Sequence, residues 1–164
     1  MPTTTRPESG DGMPTMDAEL RVAAFSELDA RTLYAILKLR CDVFVVEQEC
    51  AYPELDGRDT EPGTRHLWLA AGLEVLAYLR ILDDGDECRI GRVVTAPHER
   101  GAGLAGRLVQ HALTAIGDRP SVLHAQAHLV GFYGKYGFEQ NGPEYLEDGI
   151  PHIPMVRAAS QPVR

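Results

Sequence analysis

The sequence predicts an α+β domain built on a mixed, mostly antiparallel sheet, with one parallel strand pair and helices on both faces. Three observations carry this. Strand-like runs at 66–71 and 75–82 flank Gly72, and the turn Asp83-Asp-Gly-Asp86 joins the second to a third run at 88–95, the pattern of antiparallel hairpins. An amphipathic helical stretch then separates that third run from another at 121–127, and such a strand–helix–strand unit makes a right-handed parallel crossover. Finally, 164 residues with 44% apolar and 24% charged side chains are enough for one core without staples.

Taken in order, residues 1–18 are rich in Thr, Pro, Gly and Ser and lack apolar periodicity. They read as a disordered leader, leaving 19–164 as a single domain. A short first strand at 20–25 precedes a helix that Ser26 or Asp29 can cap. Its apolar face holds Leu33, Ile36, Leu37 and Phe44, with Arg40 intruding, and a break near 39–42 is left open. Residues 49–64 contain two prolines and two glycines and form a long loop of the kind often tied to function. Leu104, Leu108, Ala112 and Leu113 mark a helix at 104–116. A further helix at 130–136 and strands at 138–140 and 153–157 complete the sheet.

Residues 92–105, R-V-V-T-A-P-H-E-R-G-A-G-L-A, carry the most chemistry. Val93 and Val94 favour extended backbone, and Pro97, lacking an N–H, ends the run. Gly101 and Gly103 permit a tight turn and close approach of main chain to a ligand. Free N–H groups at the helix start suit a phosphate, and Arg100 adds a planar cation at the loop's edge. Three readings compete: a turn with no ligand, a dinucleotide loop, and the diphosphate loop of an acyl-coenzyme A enzyme. Gly101-x-Gly103-x-x-Gly106 has dinucleotide spacing, but that fingerprint opens a parallel sheet and precedes an acidic residue about 20 positions on. Here a hairpin comes first, and no Asp or Glu lies between Asp118 and Glu139. NAD is disfavoured.

A second motif, Q-A-H-L-V-G-F-Y-G-K-Y-G-F, occupies 126–138. Phe132 and Tyr136, four apart, pack on one helix face. Tyr133 lies off that stripe, and Gly137 suits a helix C-cap before a strand. Arg100-x-x-Gly103-x-Ala105, followed by Phe132-Tyr133-x-x-x-Gly137-Phe138, resembles the two signatures of the GCN5-related N-acetyltransferases (GNAT). The run from Leu39 to Asp59, with V-F-V-V-E-Q-E-C at its centre, and E-D-G-I-P-H-I-P-M at 147–155 are similar to the ElaA-like branch of that family. The likeness spans about residues 24–157.

The resemblance implies the GNAT (acyl-CoA N-acyltransferase) fold, whose fourth and fifth strands splay apart, with acetyl-CoA as co-substrate and no metal. Arg100, Gly101, Ala102, Gly103, Leu104 and Ala105 would grip the diphosphate through main-chain amides. Val93, Val94 and Thr95 would bond the pantetheine arm, one N–H polarising the thioester oxygen. Tyr133 matches the family's usual general acid. For the base, Glu47 is preferred, with His66, His128 and His152 as alternatives. Tyr52, Asp56 and Asp59, with His66, His128 and His152, would line an acceptor pocket whose negative charge suits an ammonium. The acceptor is a primary amine of a small molecule or peptide, and pairing into a homodimer is common among acetyltransferases of this fold.

The formal charge is −8, with no basic block, which argues against nucleic acid or anionic membrane as a partner. No apolar run approaches the roughly 20 residues that span a bilayer. Cys41, Cys50 and Cys88 lack metal spacing and are expected to be reduced thiols in a cytoplasmic protein. Two rival functions remain at this level: a coenzyme A-binding regulatory module without efficient turnover, and an acyltransferase using Cys50 as nucleophile.

Overall fold

In the computed structural model, which describes residues 18–159, eight strands form one sheet. The expected leader lies almost wholly outside the described residues. Strands β1 (Glu19–Ala23), β2 (Arg65–Ala71), β3 (Glu74–Asp83) and β4 (Cys88–Thr95) form an antiparallel meander. Helix α2 (Leu104–Ile116) crosses to β5 (Ser121–Gln126), which lies parallel to β4. Strand β8 (Ile150–Arg157) runs antiparallel to β5 and also pairs with β6 (Glu139–Gln140) and β7 (Tyr145–Glu147).

Helices cover both faces, as the sequence predicts. On one, α2 buries Leu104, Leu108, Val109 and Ala112 against Leu67, Leu79, Leu123 and Met155. On the other, α1 (Ala30–Arg40) sets Ile36 and Leu39 against Trp68, Tyr78 and Val94. Asp29 is the cap of α1, its Oδ1 accepting the Thr32 N–H at 2.7 Å. Burying these apolar side chains on both faces of one sheet supplies the main stabilisation of the domain.

The differences from expectation are local. The first strand stops at Ala23, because Phe25–Glu27 turn into a 3-10 helix. Helix α1 does not break after Arg40 but widens into a π-helix, Cys41–Glu47, and Gln48 and Cys50 donate five residues back to Val43 and Val45. Helix α3 is only Val130–Gly134, entered through a 3-10 turn, Ala127–Leu129. Strand β7 is an element the sequence reading lacks. It reaches β8 through Asp148 and Gly149, both in left-handed backbone (φ 50° and 77°), the geometry of a tight hairpin turn.

Two features open the sheet. Strands β4 and β5 pair only at Cys88–Ser121 and Arg89–Val122, so the edge of β4 beyond Arg89 faces no strand. Register also shifts between β3 and β4: Tyr78 lies opposite Val94 and Arg80 opposite Gly91. Arg92 and Val93 thus bulge against Leu79, with Arg92 at φ 52°.

Candidate active site

The opened strands line a cavity of about 900 Å³. Its walls come from the π-helix (Val43, Glu47), the bulge (Arg92 to Thr95), β5 (Leu123 to Gln126), α3 (Phe132, Tyr133) and the β7–β8 hairpin (Tyr145, His152). A smaller hollow of about 280 Å³ lies over the glycine loop and shares Thr95, Arg100, Ala105 and Phe132 with it. Val93, Val94 and Thr95 therefore face the same space as the loop. Gly101, Gly103, Leu104 and Ala105 line the hollow; Ala102 is exposed and lines neither space.

The loop's glycines have separate reasons. Gly101 and Gly103 sit at φ 84° and 80°, a region costly for residues with a Cβ. Gly103 is also the N-cap of α2 and offers no side chain, so the first-turn N–H groups of Leu104, Ala105 and Gly106 keep no capping partner. That leaves donors and the positive end of the helix dipole for an anion. Gly106 differs: a Cβ there would meet the Tyr136 hydroxyl. The third glycine of the dinucleotide-like spacing is thus a packing requirement between α2 and α3.

Tyr133 lies in the larger cavity's wall, 5% exposed, its ring edge-on to Phe132 and Phe138 at 5.0 and 6.1 Å. Burial pushes its phenol up to about 12, because the charged form loses solvation. The expected pairing of Phe132 with Tyr136 is present at 5.5 Å.

Glu47 reaches the site, but not as a free base. Arg100 clasps both of its oxygens, at 2.6 and 2.8 Å. The guanidinium holds the carboxyl below its usual range, which weakens it as a proton acceptor. In this state the Glu47 carboxylate is engaged by the loop arginine.

His66 is likewise misplaced by the sequence reading. It is buried away from the cavity, its Nε2 3.0 Å from the Asp59 carbonyl and its Nδ1 2.6 Å from the Tyr78 hydroxyl. A carbonyl only accepts, so Nε2 donates and Nδ1 accepts from Tyr78. Both ring nitrogens are used, and burial holds the ring's pKa down.

Nor are Glu54, Asp56 and Asp59 of the 49–64 loop free carboxylates. Buried Arg40 donates to Glu54 at 2.7 Å and, through both terminal nitrogens, to Asp59 at 2.8 and 3.1 Å. Arg80 donates to Asp56 and Asp59, and Arg92 lies 3.0 Å from Glu54. Three guanidinium groups thus balance three carboxylates. Asp59 is buried in this network, and Asp56, though in the cavity wall, is held far below the usual carboxylate range by Arg80. Tyr52 faces the cavity, with its hydroxyl on Glu54 and Arg92 over its ring at 5.5 Å. Glu54, Asp56 and Asp59 thus serve the arginines beneath the loop.

This network sets an acid response. His66 is neutral when folded but gains a proton in the unfolded chain below pH ~6.5, so the unfolded state binds more protons and stability falls from there downward. His124, also lowered by burial, adds to that stage. Asp56 and Asp59 are depressed when folded; their contribution is complete above about pH 4 and lost on further acidification. Urea midpoints are expected to fall in these two stages, and a midpoint unchanged between about pH 7 and 5 would contradict the first.

The hairpin end adds residues that sequence reasoning missed. His124 bonds the Tyr145 hydroxyl through Nδ1, and Gln126 lies 3.4 Å from Gln48 at the end of the π-helix. The alternation Val122, His124, Gln126 on β5 carried that signal, since all three share one sheet face. His128 and His152 both line the cavity. Among the described residues, no group of three or more His, Cys, Asp or Glu side chains is placed to hold a metal. No described helix is long and apolar enough to cross a membrane.

Comparison with known proteins matches this geometry to a family. The family model described as an acetyltransferase (GNAT) domain matches residues 38–159. The chain belongs to the GNAT family. A UPF0039 protein of Mycobacterium tuberculosis is 48% identical to it over 150 residues, covering 88% of this chain and 96% of the relative. Protein ElaA of Escherichia coli is 43% identical over 143 residues, covering 83% and 94%. Among solved structures, a Pseudomonas aeruginosa acyl-CoA N-acyltransferase superposes with a TM-score of 0.83 at 44% identity, covering 86% of this chain and 99% of that one. The crystal structure of E. coli ElaA gives 0.81 at 42%, covering 85% and 99%. This GNAT protein is an acyltransferase of the ElaA-like branch, and its eight-stranded mixed sheet is the GNAT fold.

Proposed function

We propose that this GNAT protein transfers an acetyl group from acetyl-CoA to a primary amine of a small molecule or peptide, by direct attack in a ternary complex. The observation that carries this reading is a cavity and an adjoining hollow that meet at Thr95, Arg100, Ala105 and Phe132: the unpaired edge of β4 at Val93 to Thr95 and Tyr133 line the cavity, and the glycine loop before α2 lines the hollow. Each part meets a different need of thioester aminolysis.

The loop amides and helix terminus hold the diphosphate, with Arg100 at the rim. The free edge of β4 takes the pantetheine arm as a strand would, and an N–H at the bulge polarises the thioester oxygen. Tyr133, protonated at every working pH, donates to the departing sulfur. The acceptor enters from the Tyr52 and His152 side, where Asp56 is held by Arg80 and Glu147 and Asp148 line the wall. Cys41, Cys50 and Cys88 are free thiols, which supports a cytoplasmic setting. Cys50 donates to the Gln48 and Asp148 carbonyls, and that supports a positional role over a nucleophilic one.

The test is thiol release from acetyl-CoA with polyamines, amino acids, aminoglycosides and peptides. Amine-dependent release supports the enzyme. Coenzyme A binding without release from any amine would favour a regulatory binding module.

A further inference from the structure

The geometry points to His152 as the general base for the acceptor amine, with Tyr145 as the residue that positions its ring. This rests on the transfer reaction proposed above and supplies the proton acceptor it requires, a role that Glu47 and His66 are poorly placed to fill.

Placement comes first. His152 lies opposite Gln126 in the β5–β8 register, at the end of β5 where β4 has parted from it. It is thus one strand spacing, about 4.8 Å, from the gap that admits the acyl donor. Its side chain lines the cavity and is 13% exposed, enough to be reached yet mostly desolvated.

Orientation is fixed as well. His152 Nδ1 is 2.8 Å from the Ile150 carbonyl. A carbonyl cannot donate, so Nδ1 carries the hydrogen and the neutral ring keeps its lone pair on Nε2. The ring stacks on Tyr145, its cross-strand partner, at 5.9 Å and 30°. Tyr145 is tied in turn to His124 on β5. Three rings on three strands therefore hold one another on the cavity floor. Glu147 Oε2 lies 3.8 Å from Nε2. The other ionisable groups facing the cluster are His124 and, from β4, Arg89, whose charge acts on both His124 and Tyr145.

The proton balance closes. The acceptor ammonium gives one proton to His152 Nε2, and the freed nitrogen lone pair attacks the thioester carbon. As the C–N bond forms and the C–S bond breaks, the thiolate takes the Tyr133 proton. The nitrogen's second proton restores the phenol through the cavity, and His152 returns its proton to solvent. One acetyl-CoA and one ammonium give one acetamide, one free thiol and one proton.

The experiment compares parent, H152Q and H152A with the amine that gives the fastest thiol release. Expected is a fall of about 10²-fold in kcat/KM, with loss of the acid limb of the pH–rate profile and acetyl-CoA affinity unchanged. Added imidazole should partly restore H152A. Tyr145→Leu should lower kcat while keeping the acid limb, since it loosens the ring without removing it. Parental rate and profile in H152Q would overturn the assignment. So would variants that lose acetyl-CoA affinity and melting temperature while the acid limb persists, because that marks a structural histidine. A parent that binds coenzyme A but releases no thiol with any amine rejects the transfer reaction itself, and His152 as its base with it.

Discussion

Tyr133→Phe should lower kcat for acetyl transfer by tenfold or more, with acetyl-CoA affinity within about twofold of the parent. The substitution keeps the ring that packs edge-on against Phe132 and Phe138, so stability should hold and the loss is chemical. With the phenol pushed up to about 12, handing its proton to a finished thiolate of conjugate-acid pKa about 8.5 is uphill by roughly 5 kcal/mol. Transfer must therefore accompany C–S cleavage, when the sulfur is most basic relative to its final state. The same shift predicts no loss of kcat from Tyr133 ionisation below about pH 10. Stopped-time thiol release across pH for both proteins is the check, and equal turnover at saturation would remove Tyr133 from the mechanism.

Arg40→Leu should cost about 3–5 kcal/mol of folding free energy and lower the melting temperature by about 10 °C or more. Arg40 is fully buried and clasps Asp59 with two nitrogens while also holding Glu54. Removing it leaves two carboxylates facing each other below the 49–64 loop, with Arg80 and Arg92 alone to compensate. Such a site gains protons or opens to water, and either outcome loosens the cavity wall that carries Tyr52 and Asp56. Thermal melts at pH 7 measure the drop. A change below about 1 kcal/mol would mean that the network contributes little to stability.

Legibility in the sequence followed the strength of local pattern. Helix α2 was readable to the residue because its apolar spacing starts after a glycine and ends at one. The hairpin around Asp83–Asp86 was plain from its turn residues. The π-helix was not, since Val43 and Phe44 suit an α-helical face equally well and only the main-chain bonds distinguish the two. Strand β7 is three residues long, too short for alternation to show.

At the site, residues set by backbone were legible and those set by long-range pairing were not. Gly101 and Gly103 line the smaller hollow and Tyr133 the larger cavity beside it. Asp56 and Asp59 looked like ligand-facing acids because their partners, Arg40 and Arg80, are 19 or more residues away. The intrusion of Arg40 on an apolar helix face was the clue, as a buried guanidinium demands carboxylates. Period-two alternation likewise sets His66 beside Trp68 and Ala70, both buried under α1, and so marked it as interior.

The central claim is that the peptide amides between residues 100 and 105 cradle the diphosphate of an acyl-coenzyme A. Calorimetric titration of the parent and of Gly103→Val with acetyl-CoA, coenzyme A and NADH tests it most directly. The account predicts saturable heat with both coenzyme A species, at least tenfold weaker binding in Gly103→Val where a β-branched residue must adopt φ near 80°, and none with NADH. Silence with millimolar coenzyme A beside a clear NADH isotherm would contradict it.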